Sequence, residues 1–189
     1  MILPIVAYGD AVLKTPAKET DKNYPKLNEL IKDMFDTMYN AKGVGLAAPQ
    51  IGKSLRLFIV DGTPFAEDDE PGMDKWKVVF INPEIIEEQG KEWAFNEGCL
   101  SIPTVREDIY RNPKIRITYY DEDFKHHDEY FDGLKARIIQ HEYDHIEGVL
   151  FTDKISGLKK RLLKNKLANI SKGFVEVHYK MSFPLKKGR

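Results

Sequence analysis

The stretch "IIQHEYDH", residues 138–145, sets two histidines four residues apart with a glutamate directly after the first. On a helix, His141 and His145 lie one turn apart on the same side, so both imidazoles can hold one metal ion. Glu142 sits about 100° round the helix from His141, poorly aimed for ligation but able to reach a water beside the ion. Two ligands and a general base are the logic of the H-E-x-x-H pattern. A catalytic metal site keeps three protein ligands and one open position, so a third ligand is needed. Downstream, Glu147 is only two residues past His145, on the wrong side of the helix. Glu176 and His178 fall in a separate predicted strand. Upstream, "NEGCLSIP" (96–103) offers Cys99, whose thiolate is a strong ligand. Gly98 before it lets backbone come close to another group, and Pro103 after it stiffens the presentation.

A third stretch, "GVGLAAPQIG" (43–52), is open to several readings. It lacks the Gly-Lys-Ser/Thr of a phosphate loop and the spacing of a dinucleotide fingerprint. Gly43 and Gly45 suggest a backbone ledge for an extended ligand, and the Gln50 amide can donate to a developing oxyanion. Read alone, the stretch is a turn.

These residues need positioning elements. "YPKLNELIKDMFDTMYNAKG" (24–43) repeats Leu27, Leu30, Ile31, Met34 and Met38 at helical spacing and predicts an amphipathic helix stopping at Gly43. "LRLFIVDG" (55–62) and "KWKVVFINP" (75–83) predict strands, joined by an acidic surface loop containing Pro71-Gly72. "KIRITYYDED" (114–123) alternates as a half-buried strand, with "HHDEYFDG" as its hairpin partner. A helix spans about 133–147 and ends near Gly148. Leu134, Ile138, His141 and His145 form one of its stripes; Ala136, Ile139, Tyr143 and Ile146 cover another, which predicts a buried helix. Asp144 on such a helix needs a partner. "KISGLKKRLLKNKLANISKG" predicts a further helix capped at Gly173, and "FVEVHYKM" (174–181) alternates like a strand. The fold class that follows is α+β: mostly antiparallel strands around a central buried H-E-x-x-H helix, with an N-terminal helix and a variable C-terminal helix and strand.

Composition narrows the function. The 189 residues suit one domain, 1–189. With 42% hydrophobic and 31% charged residues the chain is an ordinary globular one. A net charge of −1 argues against whole-molecule attraction to DNA or a membrane surface. The N-terminal run is a poor signal peptide, and no run of about 18 apolar residues exists. Cys99 is the only cysteine, which excludes an internal disulfide and fits a reducing cytosol. A lone cysteine is ordinarily an inert small core residue.

Together, "GVGLAAPQ" (43–50), "EGCLS" (97–101) and "HEYDH" (141–145) resemble the peptide deformylase family, which carries G-x-G-x-A-A-x-Q, E-G-C-x-S and H-E-x-x-H in this order. The resemblance runs from about residue 3 to 156 and leaves 157–189 as a variable region. It implies a hydrolase that removes the formyl group from the N-terminal methionine of new bacterial or organellar proteins, here expected in a bacterial cytoplasm. It implies that Cys99, His141 and His145 bind one divalent metal, ferrous iron, with zinc, nickel or cobalt as substitutes in purified protein. Glu142 is then the general base and acid, and the Gln50 amide and Leu100 N–H steady the oxyanion. Substrate is expected to extend along Gly43, Val44 and Gly45. Val44, Phe95, Leu134 and Ile138 would line the methionine pocket, with Arg106 or Glu97 at its rim. The family pattern gives Asp144 its partner in Arg111. In some members the C-terminal region docks on the ribosome, and the basic "LKKRLLKNK" suits an RNA-rich surface. Two rivals remain: a zinc peptidase, which wants a downstream ligand and has no use for Cys99, and a non-catalytic metal or formyl-peptide binding module.

Overall fold

The computed structural model describes residues 1–66 and 72–185. Pro71, most of the acidic stretch before it and the end of the basic tail lie outside the described residues. The order of elements begins with β1 (Ile5–Val6), α1 (Leu27–Asn40), β2 (Gly45–Ala47), β3 (Leu57–Asp61) and β4 (Lys77–Gln89). It continues through β5 (Trp93–Cys99), β6 (Ile102–Arg111), β7 (Lys114–Tyr120) and β8 (His126–Asp132). It ends with α2 (Gly133–Ile146), α3 (Gly157–Ser171) and β9 (Met181–Ser182).

Five antiparallel strands form the main sheet in the order β2-β3-β4-β7-β8. Successive β3 side chains point to opposite faces. Leu57 and Ile59 join Met34, Met38 and Leu46 on the α1 side, whereas Phe58 and Val60 join Phe80, Ile138 and Ile139 on the α2 side. A helix on each face covers the sheet, which is why "LFIV" is continuously apolar rather than alternating.

The sequence ends the second strand at Pro83, but β4 continues to Gln89. The register shifts between Ile81 and Glu84, and Asn82 has φ 48°. The missing proline donor is thus absorbed by a bulge. The α1 helix is shorter than its periodicity suggests, and Lys42 (φ 57°), not Gly43, takes the left-handed position after it. Gly43 is needed for another reason: a Cβ there would stand 2.8 Å from Leu100 Cδ1.

β5 and β6 form a separate two-stranded hairpin closed by the tight turn Leu100-Ser101. α3 buries Leu167 and Ile170 in a third core cluster with Ile102, Val105 and Phe151. The predicted strand 174–181 is not formed: only Met181–Ser182 is a strand, paired parallel with β1. Exposure still alternates along 174–181. Alternation reports an extended segment with one side down, whether or not a ladder runs along it.

Candidate active site

A cleft of about 590 Å³ opens between the β2 edge of the main sheet, the β5–β6 hairpin, α2 and the segment 176–179. All the site residues picked from the sequence line it except His145, which is buried beside it, 1% exposed. Cys99 ends β5, and His141, Glu142 and His145 project from one turn of α2. One ligand atom from each of Cys99, His141 and His145 falls within 4.8 Å of the other two. Cys99 Sγ is 3.4 Å from His145 Nε2. Glu147, the nearest downstream alternative, instead pairs with Arg56 at 2.6 Å. Glu176 and His178 line the cleft but join no ligand cluster among the described residues.

One thiolate and two imidazoles make a borderline-soft donor set suited to zinc or ferrous iron. The electrostatics favour positive charge here. Burial opposes protonation of His141, but Cys99 and Glu97 outweigh it and push the imidazole up to about 10. Burial, reinforced by His141, holds His145 well below its usual range. The donor set and its surroundings therefore fit a divalent cation.

Glu97 departs from its expected place. It borders the cleft, but its carboxylate is not at a substrate rim: it is 5% exposed and accepts from three side chains. Arg111 donates to it at 2.7 and 3.0 Å, Arg137 at 2.9 Å, and His141 Nδ1 lies 2.8 Å away. Burial works against the Glu97 charge, yet His141 and Arg111 hold the carboxyl well below the usual carboxylate range. An ionised Glu97 holds a proton of His141 on Nδ1, so a cation can take the Nε2 lone pair in place of the second proton. Arg111 also reaches Asp144 at 2.7 Å, the pairing that the family resemblance implied. Arg137, which the sequence reading missed, adds bonds to the Ile109 and Trp93 carbonyls and lies over the Trp93 ring. A buried arginine on the stripe of a ligand-bearing helix was the available signal.

Glu142 is 5% exposed, and its Oε2 has no hydrogen-bond partner among the described residues. Burial pushes its carboxyl up to about 7, with His141 opposing. A buried carboxyl titrating near neutrality suits proton transfer in both directions. Gly45 packs directly on it: a Cβ there would overlap the carboxylate, with Cδ at 2.7 Å. Gln50 is oriented from behind, its Oε1 accepting the Ala47 N–H at 2.9 Å. Its Nε2 therefore points to Cys99 Sγ at 3.4 Å and Ser101 Oγ at 3.3 Å. Leu100 lines the cleft at the β5–β6 turn. Val44, Phe95, Leu134 and Ile138 supply apolar wall, and Arg106 is held at the mouth by Asn96 at 2.8 Å. Val177 and Tyr179 complete this wall, and no motif in the sequence marks them.

A family model described as polypeptide deformylase matches residues 2–161. A peptide deformylase of Christiangramia forsetii is 64% identical over the whole of both chains. One from Cytophaga hutchinsonii is 57% identical over 99% of this chain and 100% of its own. Among solved structures, a Legionella pneumophila peptide deformylase superposes with TM-score 0.79 at 40% identity, covering 92% of this chain and 98% of that one. A Plasmodium falciparum peptide deformylase gives TM-score 0.79 at 33% identity, covering 90% and 96%.

Proposed function

This chain belongs to the polypeptide deformylase family and is an enzyme of that activity, and on that premise we propose how its own residues carry out the hydrolysis. The observation that carries the proposal is the meeting of Cys99 with His141 and His145 beside the buried, unpaired oxygen of Glu142. Cys99, His141 and His145 hold one divalent metal, ferrous iron in the working enzyme, with zinc, nickel or cobalt able to replace it. When bound, such an ion polarises water and carbonyl oxygen as a Lewis acid.

The substrate is an N-formyl-methionyl nascent peptide. It lies extended along Gly43, Val44 and Gly45, adding its backbone to the β2 edge. Its methionine side chain enters the apolar wall of Val44, Phe95, Leu134 and Ile138, and the stem of Arg106 borders the mouth. Glu142 removes a proton from the attacking water as its oxygen bonds to the formyl carbon. The Gln50 amide and Leu100 N–H donate to the oxygen that becomes negative. Glu142 then delivers the proton to the amine nitrogen as the C–N bond breaks, releasing formate and the free N-terminus. Glu97, Arg111 and Arg137 hold His141 in place throughout.

The whole chain forms one catalytic domain around the α2 helix, with residues 157–189 as its variable end. The family's bacterial relatives support a bacterial cytoplasmic setting, and no described helix is long and apolar enough to cross a membrane. The exposed basic face of α3, with Lys160, Arg161 and Lys164, supports ribosome contact. Co-sedimentation with ribosomes that weakens as salt rises would bear that out, and no co-sedimentation at low salt would refute it.

The deciding experiment measures amine release from a formyl-Met tripeptide by anaerobically purified enzyme beside Glu142→Ala, with metal quantified in both. The expected result is full metal content in both proteins and at least about a 100-fold lower kcat in the variant. Near-normal activity of the variant would remove Glu142 from the chemistry.

A further inference from the structure

The turn Leu100-Ser101 follows the thiolate Cys99, and it is tied from three directions. The Tyr8 N–H donates to the Ser101 carbonyl at 2.8 Å, and Gln50 Nε2 donates to Ser101 Oγ at 3.3 Å. The Tyr179 hydroxyl donates to the Leu100 carbonyl at 2.8 Å. The third tie comes from the C-terminal segment, not from the sheet or α2. That segment is anchored at its start, where the Phe174 N–H donates to Asn169 O at 2.9 Å. It is anchored again at its end, where the Ile5 N–H donates to Lys180 O at 2.9 Å and Ala7 N–H to Ser182 O at 2.8 Å. Between these anchors Glu176, Val177, His178 and Tyr179 line the cleft. The Tyr179 ring is half-buried against the α1-side core.

We propose that Tyr179 is a positioning residue for deformylation: its hydroxyl pins the Leu100 carbonyl and so aims the Leu100 N–H into the cleft. The inference rests on the reading of that N–H as an oxyanion donor. The Leu100 N–H belongs to the peptide unit between Cys99 and Leu100, and its carbonyl to the next unit along. Cys99 fixes the first unit at one end, as a ligand. Tyr179 fixes the plane of the second. Only the φ and ψ of Leu100 join them, so pinning both sides leaves the N–H little freedom. An oxyanion donor gains its effect by being aimed before charge develops, so looseness here costs rate rather than substrate affinity. The C-terminal segment therefore serves the reaction through one hydroxyl, in addition to walling the cleft.

The test is Tyr179→Phe, which keeps the ring and removes the hydrogen bond. Metal-loaded wild type and variant are compared for kcat and KM on a formyl-Met tripeptide, together with amide hydrogen exchange. The expected result is kcat about three- to tenfold lower with KM within about twofold, the worth of one hydrogen bond. Exchange at the amides of residues 99–102 should quicken while α2 stays as protected as in wild type. A kcat within about twofold of wild type overturns the inference. So does a loss of kcat without faster exchange at the turn. Faster exchange throughout, α2 included, marks a merely structural role and overturns it as well. An inactive wild type would sink the deformylase mechanism itself, a failure distinct from that of Tyr179 alone.

Discussion

The two sides of the cleft are held by opposite means. Beneath Cys99, His141 and His145, the proposed metal ligands, Glu97, Arg111 and Arg137 are each no more than 5% exposed and share a cluster of charged hydrogen bonds that also grips His141. Across the cleft, the wall from Glu176 to Tyr179 is an extended segment between two anchors, and Glu176 and His178 within it are exposed. The ligand side must hold charged atoms to within fractions of an ångström against the cost of burying them. Apart from the Tyr179 hydroxyl, the wall has only to exclude water and touch substrate. Damage to the first should therefore appear in stability and metal binding, and damage to the second in kinetic constants alone.

Glu97→Gln is the strongest attempt to break that contrast. It strips the shared carboxylate from two buried guanidinium groups and from His141 Nδ1. Removing one partner of a buried charge cluster typically costs about 3–5 kcal/mol, and the loss of orientation should lower metal occupancy. Urea unfolding and metal analysis check both. A variant within about 1 kcal/mol of wild type with full metal would show that the cluster is not what holds this side.

Gly45→Ala acts on the chemistry instead. The added methyl group overlaps the Glu142 carboxylate, so Glu142 must shift while Cys99, His141 and His145 keep their places. A displacement of about 1 Å costs on the order of 100-fold in kcat/KM. Metal content and melting temperature should stay close to wild type, and an unchanged kcat/KM would mean that Glu142 is not confined by the β2 edge.

The same contrast governs what could be read in the sequence. Cys99, His141, Glu142, Gln50 and Gly45 were legible because each sits in a short motif whose spacing is itself the geometry: one helical turn, one strand end, one glycine ledge. The sheet was legible where its strands were β-branched runs. The buried charge cluster of Glu97 was not legible because its partners Arg111 and Arg137 stand 14 and 40 residues away, beyond any local pattern. β4 was cut short at Pro83 because a bulge can be seen only once its partner strand is known. Residues 174–181 looked like a strand because they alternate, and alternation does not reveal whether a ladder neighbour exists.

Asp61 offers a control outside the charge cluster and the wall, although its N–H donates to the Val44 carbonyl at 2.9 Å behind the β2 edge. Burial raises the pKa of its carboxyl, but donation from Thr63 and the Tyr39 hydroxyl, the latter at 2.6 Å, outweighs burial and holds it below 3.8. A carboxyl depressed in the folded state stabilises above its unfolded pKa, and that stabilisation is lost as pH falls through the folded one. Asp61→Asn should therefore cost about 1–2 kcal/mol at pH 7, with the gap to wild type closing only below about pH 4. Denaturant melts at several pH values measure it. A gap independent of pH would mean that the Asp61 bonds do not depend on its charge.

The smallest effect belongs to the wall. His178 is exposed at the cleft, and its ring packs on that of Tyr179 at 5.2 Å between centroids. It touches neither the ligand set nor the charge cluster. His178→Ala should therefore leave metal content, stability and kcat as they are, and raise KM for a formyl-Met tripeptide by about two- to threefold through lost contact with the downstream peptide. A single formyl-Met amide, too short to reach the wall, should show no change. A fall in kcat on both substrates would mean that disturbing the wall at His178 reaches the turn that Tyr179 pins. The coupling of the cleft's two sides would then extend beyond the Tyr179 hydroxyl, and the division drawn between them would hold for stability but not for catalysis.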